Sequence, residues 1–153
     1  MELGLGSVAL SPRPYVDEPW KHVGQMWLTG QPKPWLHLSG IAAFDAEAFA
    51  AGGAVKFILV RADRFSLGAE TELGYAWGSF GVPFAVRLFD QTWIYASPRG
   101  GNLGIEPLYG FPVGLSVHAH RNLFARVEYQ NSWVKFLAYE HRTHLGAALA
   151  VEW

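Results

Sequence analysis

Cysteine is absent from the 153 residues, which excludes a disulfide scaffold, a thiolate metal site and a cysteine nucleophile while leaving the compartment open. Charge is scarce: Asp, Glu, Lys and Arg make up 16% of the chain, against roughly 25% in an ordinary soluble domain. The 12 Lys plus Arg and 13 Asp plus Glu leave a net charge of −1, so the electrostatic footprint of a nucleic-acid binder is missing and no such partner is expected. Long hydrophobic runs are missing too. No window approaches the roughly 18 unbroken apolar residues of a membrane-spanning helix, and the longest stretches, 48–55 and 145–151, are strand-sized. Disorder is excluded by the opposite property, since 50% of the residues are hydrophobic. No signal peptide is visible after Met1, so an exported protein is expected here as a mature form with an added initiator Met.

Present in excess are 17 glycines and 7 tryptophans, dispersed rather than blocked. Their period is two. From Phe65 to Gly78 the odd positions Phe65, Leu67, Ala69, Thr71, Leu73, Tyr75 and Trp77 alternate with Ser66, Gly68, Glu70, Glu72, Gly74, Ala76 and Gly78, a strand signal with one apolar and one small or polar face. The same alternation governs 55–59, 111–118, 123–130 and 144–153. Turn signals at 62–64, 78–81, 97–102 and 120–122 divide the runs. Eight strands are therefore expected, near 2–10, 35–44, 47–61, 65–78, 82–96, 104–119, 122–132 and 140–153. Residues 11–34, with Pro12, Pro14, Pro19, Pro32 and Pro34, read as one long loop, although His22 to Leu28 alternatively forms a short strand inside it. No linker or repeat suggests a second domain, so 1–153 is read as a single unit.

Alternation alone fits a soluble barrel with an apolar inside or a membrane barrel with an apolar outside. Residue size separates them. The polar face carries mostly Gly, Ala and Ser with a few ions of both signs, which suits the narrow lumen of an eight-stranded barrel. The bulky face is free of charge in the best-defined strands, as a lipid-facing surface requires. A soluble, lipocalin-like carrier would need a charged exterior that the sequence does not supply. Tyr75, Trp77, Trp93, Tyr95, Tyr129, Trp133 and Trp153 fall toward expected strand ends, where membrane girdles lie.

The terminal aromatic Trp153, preceded at alternate positions by Val151, Leu149, Ala147 and Leu145, resembles the end of the small outer-membrane β-barrels of Gram-negative bacteria, the OmpA/OmpX-like class. That resemblance implies an all-β, eight-stranded antiparallel up-and-down transmembrane barrel. It also implies a monomer in the bacterial outer membrane, in contact with membrane lipids and lipopolysaccharide, whose last strand is read by the assembly machinery. It implies both termini on one side, with 11–34, 62–64, 97–103 and 133–139 extracellular.

Inward charges form the best-defined constellation. Folding the hairpins about their expected turns sets Lys56 near Glu70, Glu72 near Arg87, and Arg126 with Glu128 near Glu152. Each buried ion needs a partner, so the network reads as a polar core that holds register, with a charged plug or gate as the functional alternative. His118, His120, His141 and His144 are the tempting metal ligands, but His144 lies toward the strand end opposite His118 and His120, so no metal and no cofactor are expected. A lipid A-modifying enzyme would need a nucleophile, a base and an acid. Ser116, His118 and Glu128 are the candidates, yet residues 118–122 do not match the His-x-Ser-Asn pattern associated with deacylases. The reading adopted from sequence is a barrel without a wide pore, acting through its loops, with a small narrow channel as a further alternative; among the loops, the stretch with Trp20, Trp27, Trp35 and five prolines is the expected binding surface.

Overall fold

The computed structural model describes residues 1–12, 19–46, 48–75, 77–103, 106–120, 122–136 and 138–153. Among them are twelve strand segments: β1 (Glu2–Leu10), β2 (Lys21–Lys33), β3 (Leu36–Phe44), β4 (Phe49–Arg61), β5 (Phe65–Gly74), β6 (Trp77–Gly81), β7 (Phe84–Phe89), β8 (Thr92–Ala96), β9 (Arg99–Leu103), β10 (Glu106–His120), β11 (Leu123–Phe136) and β12 (Ala138–Glu152). All pair antiparallel, and β12 returns to β1 from Glu2↔Glu152 to Leu10↔His144, closing the sheet into a barrel.

Two of the barrel strands are broken by proline. Val82 and Pro83 separate β6 from β7, and Ser97 and Pro98 separate β8 from β9. Proline has no N–H to give a ladder. The wall is kept closed by backbone bonds that bypass the gaps: Gly68 N to Pro83 O at 2.8 Å, Val82 N to Pro98 O at 3.0 Å, and Ser97 N to Pro112 O at 3.1 Å. Counting each broken strand once, the described residues form a ten-stranded barrel, not the expected eight-stranded one.

Both additional strands lie where composition obscured them. β2 occupies most of the expected 11–34 loop, leaving residues 11–20 as its connection, of which 13–18 lie outside the described residues. The expected 82–96 strand is a hairpin about Asp90 and Gln91, and the expected 97–103 loop contains β9. One missed strand reverses the direction of every strand after it until the second restores it. The 62–64 turn therefore lies at the end that carries both termini, opposite the end where β1 finishes at Leu10 and β2 starts at Lys21. The expected 133–139 loop shrinks, because β11 runs to Phe136 and β12 starts at Ala138.

The barrel is inside-out relative to a soluble domain. Among the described residues only Ala96 and Ala150 are buried hydrophobics, whereas Leu5, Leu59, Leu73 and Val127 are 58–67% exposed. At about 1.5–3 kcal/mol for each large side chain left in water, a surface this apolar is unfavourable in water. The phase is not uniform along the chain: odd residues face out in β1, β4, β10, β11 and β12, but even ones do so in β2, β3, β7 and β8, as Met26, Leu28, Leu38, Val86 and Ile94 show. On β12 the outward residues are apolar from Leu145 to Trp153 and become polar at Thr143 and His141, which with Tyr129 donate to Asn131 Oδ1. That stretch of nine residues matches the roughly 9–11 residues of a tilted membrane strand.

Val127 lies midway along the corresponding band on β11, between Ala125 and Tyr129. Arginine there is expected to cost about 2–4 kcal/mol, read as a lowered urea midpoint in lipid vesicles. An unchanged midpoint would mean that this face does not meet hydrocarbon.

Candidate functional site

Inside the wall lies a cavity of about 470 Å³, lined chiefly by polar and aromatic side chains. Two of its aromatic rings, Trp27 and Tyr95, are seated on glycines of the neighbouring strand. Trp27 pairs with Gly4 and covers it so closely that a Cβ at Gly4 would fall 2.0 Å from Trp27 Cζ2. Tyr95 pairs with Gly114, where a Cβ would fall 2.3 Å from Cζ. Trp77 lies over Gly52 and Gly74 in the same manner. Glycine is needed at these positions because the ring takes the volume that a side chain would fill.

Three polar links reach across an intervening strand. Arg126 Nη2 on β11 donates to Glu2 Oε2 on β1 at 2.9 Å, over β12, while Trp27 Nε1 donates to the other oxygen, Oε1, at 2.8 Å. Arg99 Nη1 on β9 donates to Glu72 Oε1 on β5 at 2.9 Å, over β6, where Ser79 Oγ donates to Oε2 at 3.4 Å. Tyr95 Oη on β8 donates to Glu128 Oε2 on β11 at 3.0 Å, over β10. The small residues Ala148, Gly81 and Gly114 on the strands crossed leave room for these spans. Lys56 and Glu70, register partners on β4 and β5, complete a ring in which Lys56 also feels Arg126 and Glu2, and Glu70 feels Arg99.

Lys56 and Glu70 are brought opposite each other. Glu72 is bonded to Arg99 instead of Arg87, whose guanidinium donates to the Asp63 carbonyl and lies 5.2 Å from the Trp93 ring centroid. Arg126 and Glu128 face the lumen, but Glu152 is exposed at the terminal end and pairs in register with Glu2. Tyr75, Tyr129, Trp133 and Trp153 are on the exposed exterior. Trp93 and Tyr95 line the cavity and Trp77 covers inward glycines, so these three are not girdle residues: the odd-outward phase fails in the strands that hold them. Leu145, Ala147, Leu149, Val151 and Trp153 share the exposed outer face.

Ser116, His118 and Glu128 do not converge. Ser116 lines the cavity, Glu128 accepts from Tyr95, and the His118 ring lies 3.8 Å from that of Phe124. His144 Nε2 is 2.9 Å from Ser132 Oγ and His141 Nε2 is 3.0 Å from Asn131 Oδ1, near the end opposite His118 and His120. Among the described residues no group of three or more His, Asp or Glu is placed to hold a metal.

Glu2, Trp27, His37 and Arg99 are lumen residues that sequence reasoning missed. Glu2 and Trp27 become visible once β2 is recognised, because Trp27 alternates inward with Gln25 and Thr29. Arg99 alternates with Ser97 and Gly101, a pattern hidden by Pro98 and Gly100. Among the described residues the buried atoms His37 Nε2, Ser97 Oγ and Arg99 Nε have no protein hydrogen-bond partner, and buried polar atoms of this kind call for solvent.

No family model matches the chain, and no curated protein matches it in sequence. Solved structures do match. The NanC porin aligns over 99% of this chain and 100% of its own, with a TM-score of 0.64 and 6% identity. The KdgM porin aligns over 98% and 99%, with a TM-score of 0.60 and 8% identity, and a structure of that porin in complex with disordered oligogalacturonate gives 0.56 at the same identity and coverage. The architecture of this chain is thus the closed antiparallel barrel seen in outer-membrane porins.

Proposed function

We propose that this protein is an integral β-barrel of a bacterial outer membrane, and that its lumen is a narrow, hydrated passage for ions and small polar solutes. One observation carries the reading: a cavity of about 470 Å³ lined by charged and polar side chains among others lies inside an apolar-clad wall, and buried polar atoms such as His37 Nε2 and Arg99 Nε lack protein partners among the described residues. Ten strands support it. An eight-stranded barrel is filled by its own side chains, whereas barrels of roughly 16–18 strands leave a broad channel; ten strands leave a constricted one. The side chains that cross the lumen keep it narrow. The lining mixes Glu2, Glu70, Glu72 and Glu128 with Lys56, Arg99 and Arg126, so it offers no uniformly basic track for a polyanion such as the oligogalacturonate named for the KdgM porin.

By the same reading, the end that carries both termini is periplasmic. The exposed apolar row from Leu145 to Trp153 is what assembly machinery would read, and the outer face meets membrane lipid and lipopolysaccharide.

Purified protein refolded in detergent and added to planar bilayers should give small, resolved conductance steps, well below those of a sixteen-stranded porin, and should show heat-modifiable gel mobility. A monomer fully soluble in plain buffer would overturn the membrane assignment. Silent bilayers containing correctly folded protein would overturn the passage.

A further inference from the structure

We infer that the passage holds a subsite for an uncharged sugar ring, with the phenol ring of Tyr95 as its stacking platform. This rests on the pore reading above and adds the class of solute. Counting Arg87, whose guanidinium lies over the lumen residue Trp93, the carboxylates Glu2, Glu70, Glu72 and Glu128 face an equal number of cations, Lys56, Arg87, Arg99 and Arg126. A lumen balanced in this way favours neither sign. Taking an ion out of water is costly unless a counter-charge receives it, so a polar solute without charge meets the lower barrier.

Tyr95 differs from the two tryptophans that line the same cavity. Trp27 and Trp93 are covered by guanidinium groups, Arg126 at 5.6 Å and Arg87 at 5.2 Å from the ring centroids, whereas among the described residues no cation lies over Tyr95. Its ring rests on Gly114 and borders the cavity. Beside it stands Glu128, set between glycines, since its register partners are Gly114 on β10 and Gly146 on β12. Tyr95 donates to Oε2, and among the described residues nothing donates to Oε1. An aromatic face with a free acceptor at its edge suits a pyranose, whose C–H face is apolar and whose hydroxyls project around its rim. The ring of Tyr95 receives the C–H face, Glu128 Oε1 accepts from a hydroxyl, and Ser116 and Gln25 add polar groups to the same cavity. Aromatic walls with a few placed polar groups, in a volume of roughly 300–1,000 Å³, are the common form of a small-molecule site, and the cavity of about 470 Å³ falls within that range.

The test is block of the open-channel current of the full-length protein in planar bilayers by glucose. Half-maximal block of wild type should need severalfold less glucose than polyethylene glycol of the same size, glucuronate or glucosamine. Tyr95→Leu, which keeps much of the volume and removes the aromatic face, should raise the half-blocking glucose concentration to that of the polymer, while Tyr95→Phe keeps the face and should retain the block. Glucose that blocks no better than the polymer, stronger block by glucuronate or glucosamine, or a glucose block unmoved by Tyr95→Leu in protein that keeps its heat-modifiable mobility would each overturn the inference. Should Tyr95→Leu fail to fold, the comparison of the four solutes on wild type decides alone. If wild type forms no channel at all, the pore reading itself fails and this inference falls with it, an outcome distinct from a conducting barrel that glucose does not block.

Discussion

Valine in place of Gly101 should prevent the chain from reaching its folded, heat-modifiable form. Gly101 stands opposite Ser79 across the β6–β9 ladder, and on its other side it pairs with Leu108 of β10. A Cβ there would lie 2.0 Å from the Gly78 carbonyl oxygen and 2.6 Å from the Ser79 Cα. These are backbone atoms, so no rotamer change relieves the clash and the strands must part. Overpacking alone costs about 1–3 kcal/mol. Each ladder group left without a partner in hydrocarbon costs several kcal/mol more, a total comparable with the roughly 5–15 kcal/mol that holds a native protein together. The matched control is Gly40→Ala, since a Cβ at Gly40 meets nothing within 4 Å. Band shift on unheated gels and urea titration in vesicles read both variants. G101V with a wild-type midpoint would show that β6 and β9 do not pair in this register.

The wall was far more legible in the sequence than the lumen. Strict alternation in 65–78 and 145–153 announces strands, and the contrast of Leu, Val and Phe against Gly, Ala and Ser identifies which face meets hydrocarbon. Both signals are local, because a strand's two faces are written in consecutive residues. Strand number is less local. β2 begins just after Pro19 and ends between Pro32 and Pro34, where a prolyl ring costs only an edge hydrogen bond. The β7–β8 hairpin turns at Asp90 and Gln91 without the Gly or Asn that marks a tight turn. Carrying the odd-outward phase through 82–96 misassigned the faces there, because the break at Val82 and Pro83 and the turn at Asp90 and Gln91 give β7 and β8 the opposite phase, and Trp93 and Tyr95 therefore read as girdle residues. The lumen contacts were the least legible. Hairpin reasoning finds neighbours such as Lys56 and Glu70, but Glu72–Arg99, Glu2–Arg126 and Tyr95–Glu128 each vault over a strand. Such pairs depend on barrel curvature and on small residues in the strand between, neither of which has a sequence period.

Tyr95 and Gly114 should move the conductance in opposite directions. The phenol lies flat against the wall of β10 because Gly114 has no side chain, and its hydroxyl reaches Glu128 beyond. Tyr95→Ala removes the ring and the link, so the constriction widens and the single-channel conductance should rise severalfold. Gly114→Ala does the reverse. Its Cβ would lie 2.3 Å from Cζ and 2.4 Å from Oη of Tyr95, the far end of a side chain that is able to swing. The backbone therefore stays in register while the ring lifts into the passage, and conductance should fall. Combining the two changes removes the ring that glycine made room for, so the double variant should conduct like Tyr95→Ala alone. This strong non-additivity is the mark of two residues acting through one contact. Additive effects, or a Gly114→Ala channel as conductive as wild type, would mean that the Tyr95 ring does not constrict the passage.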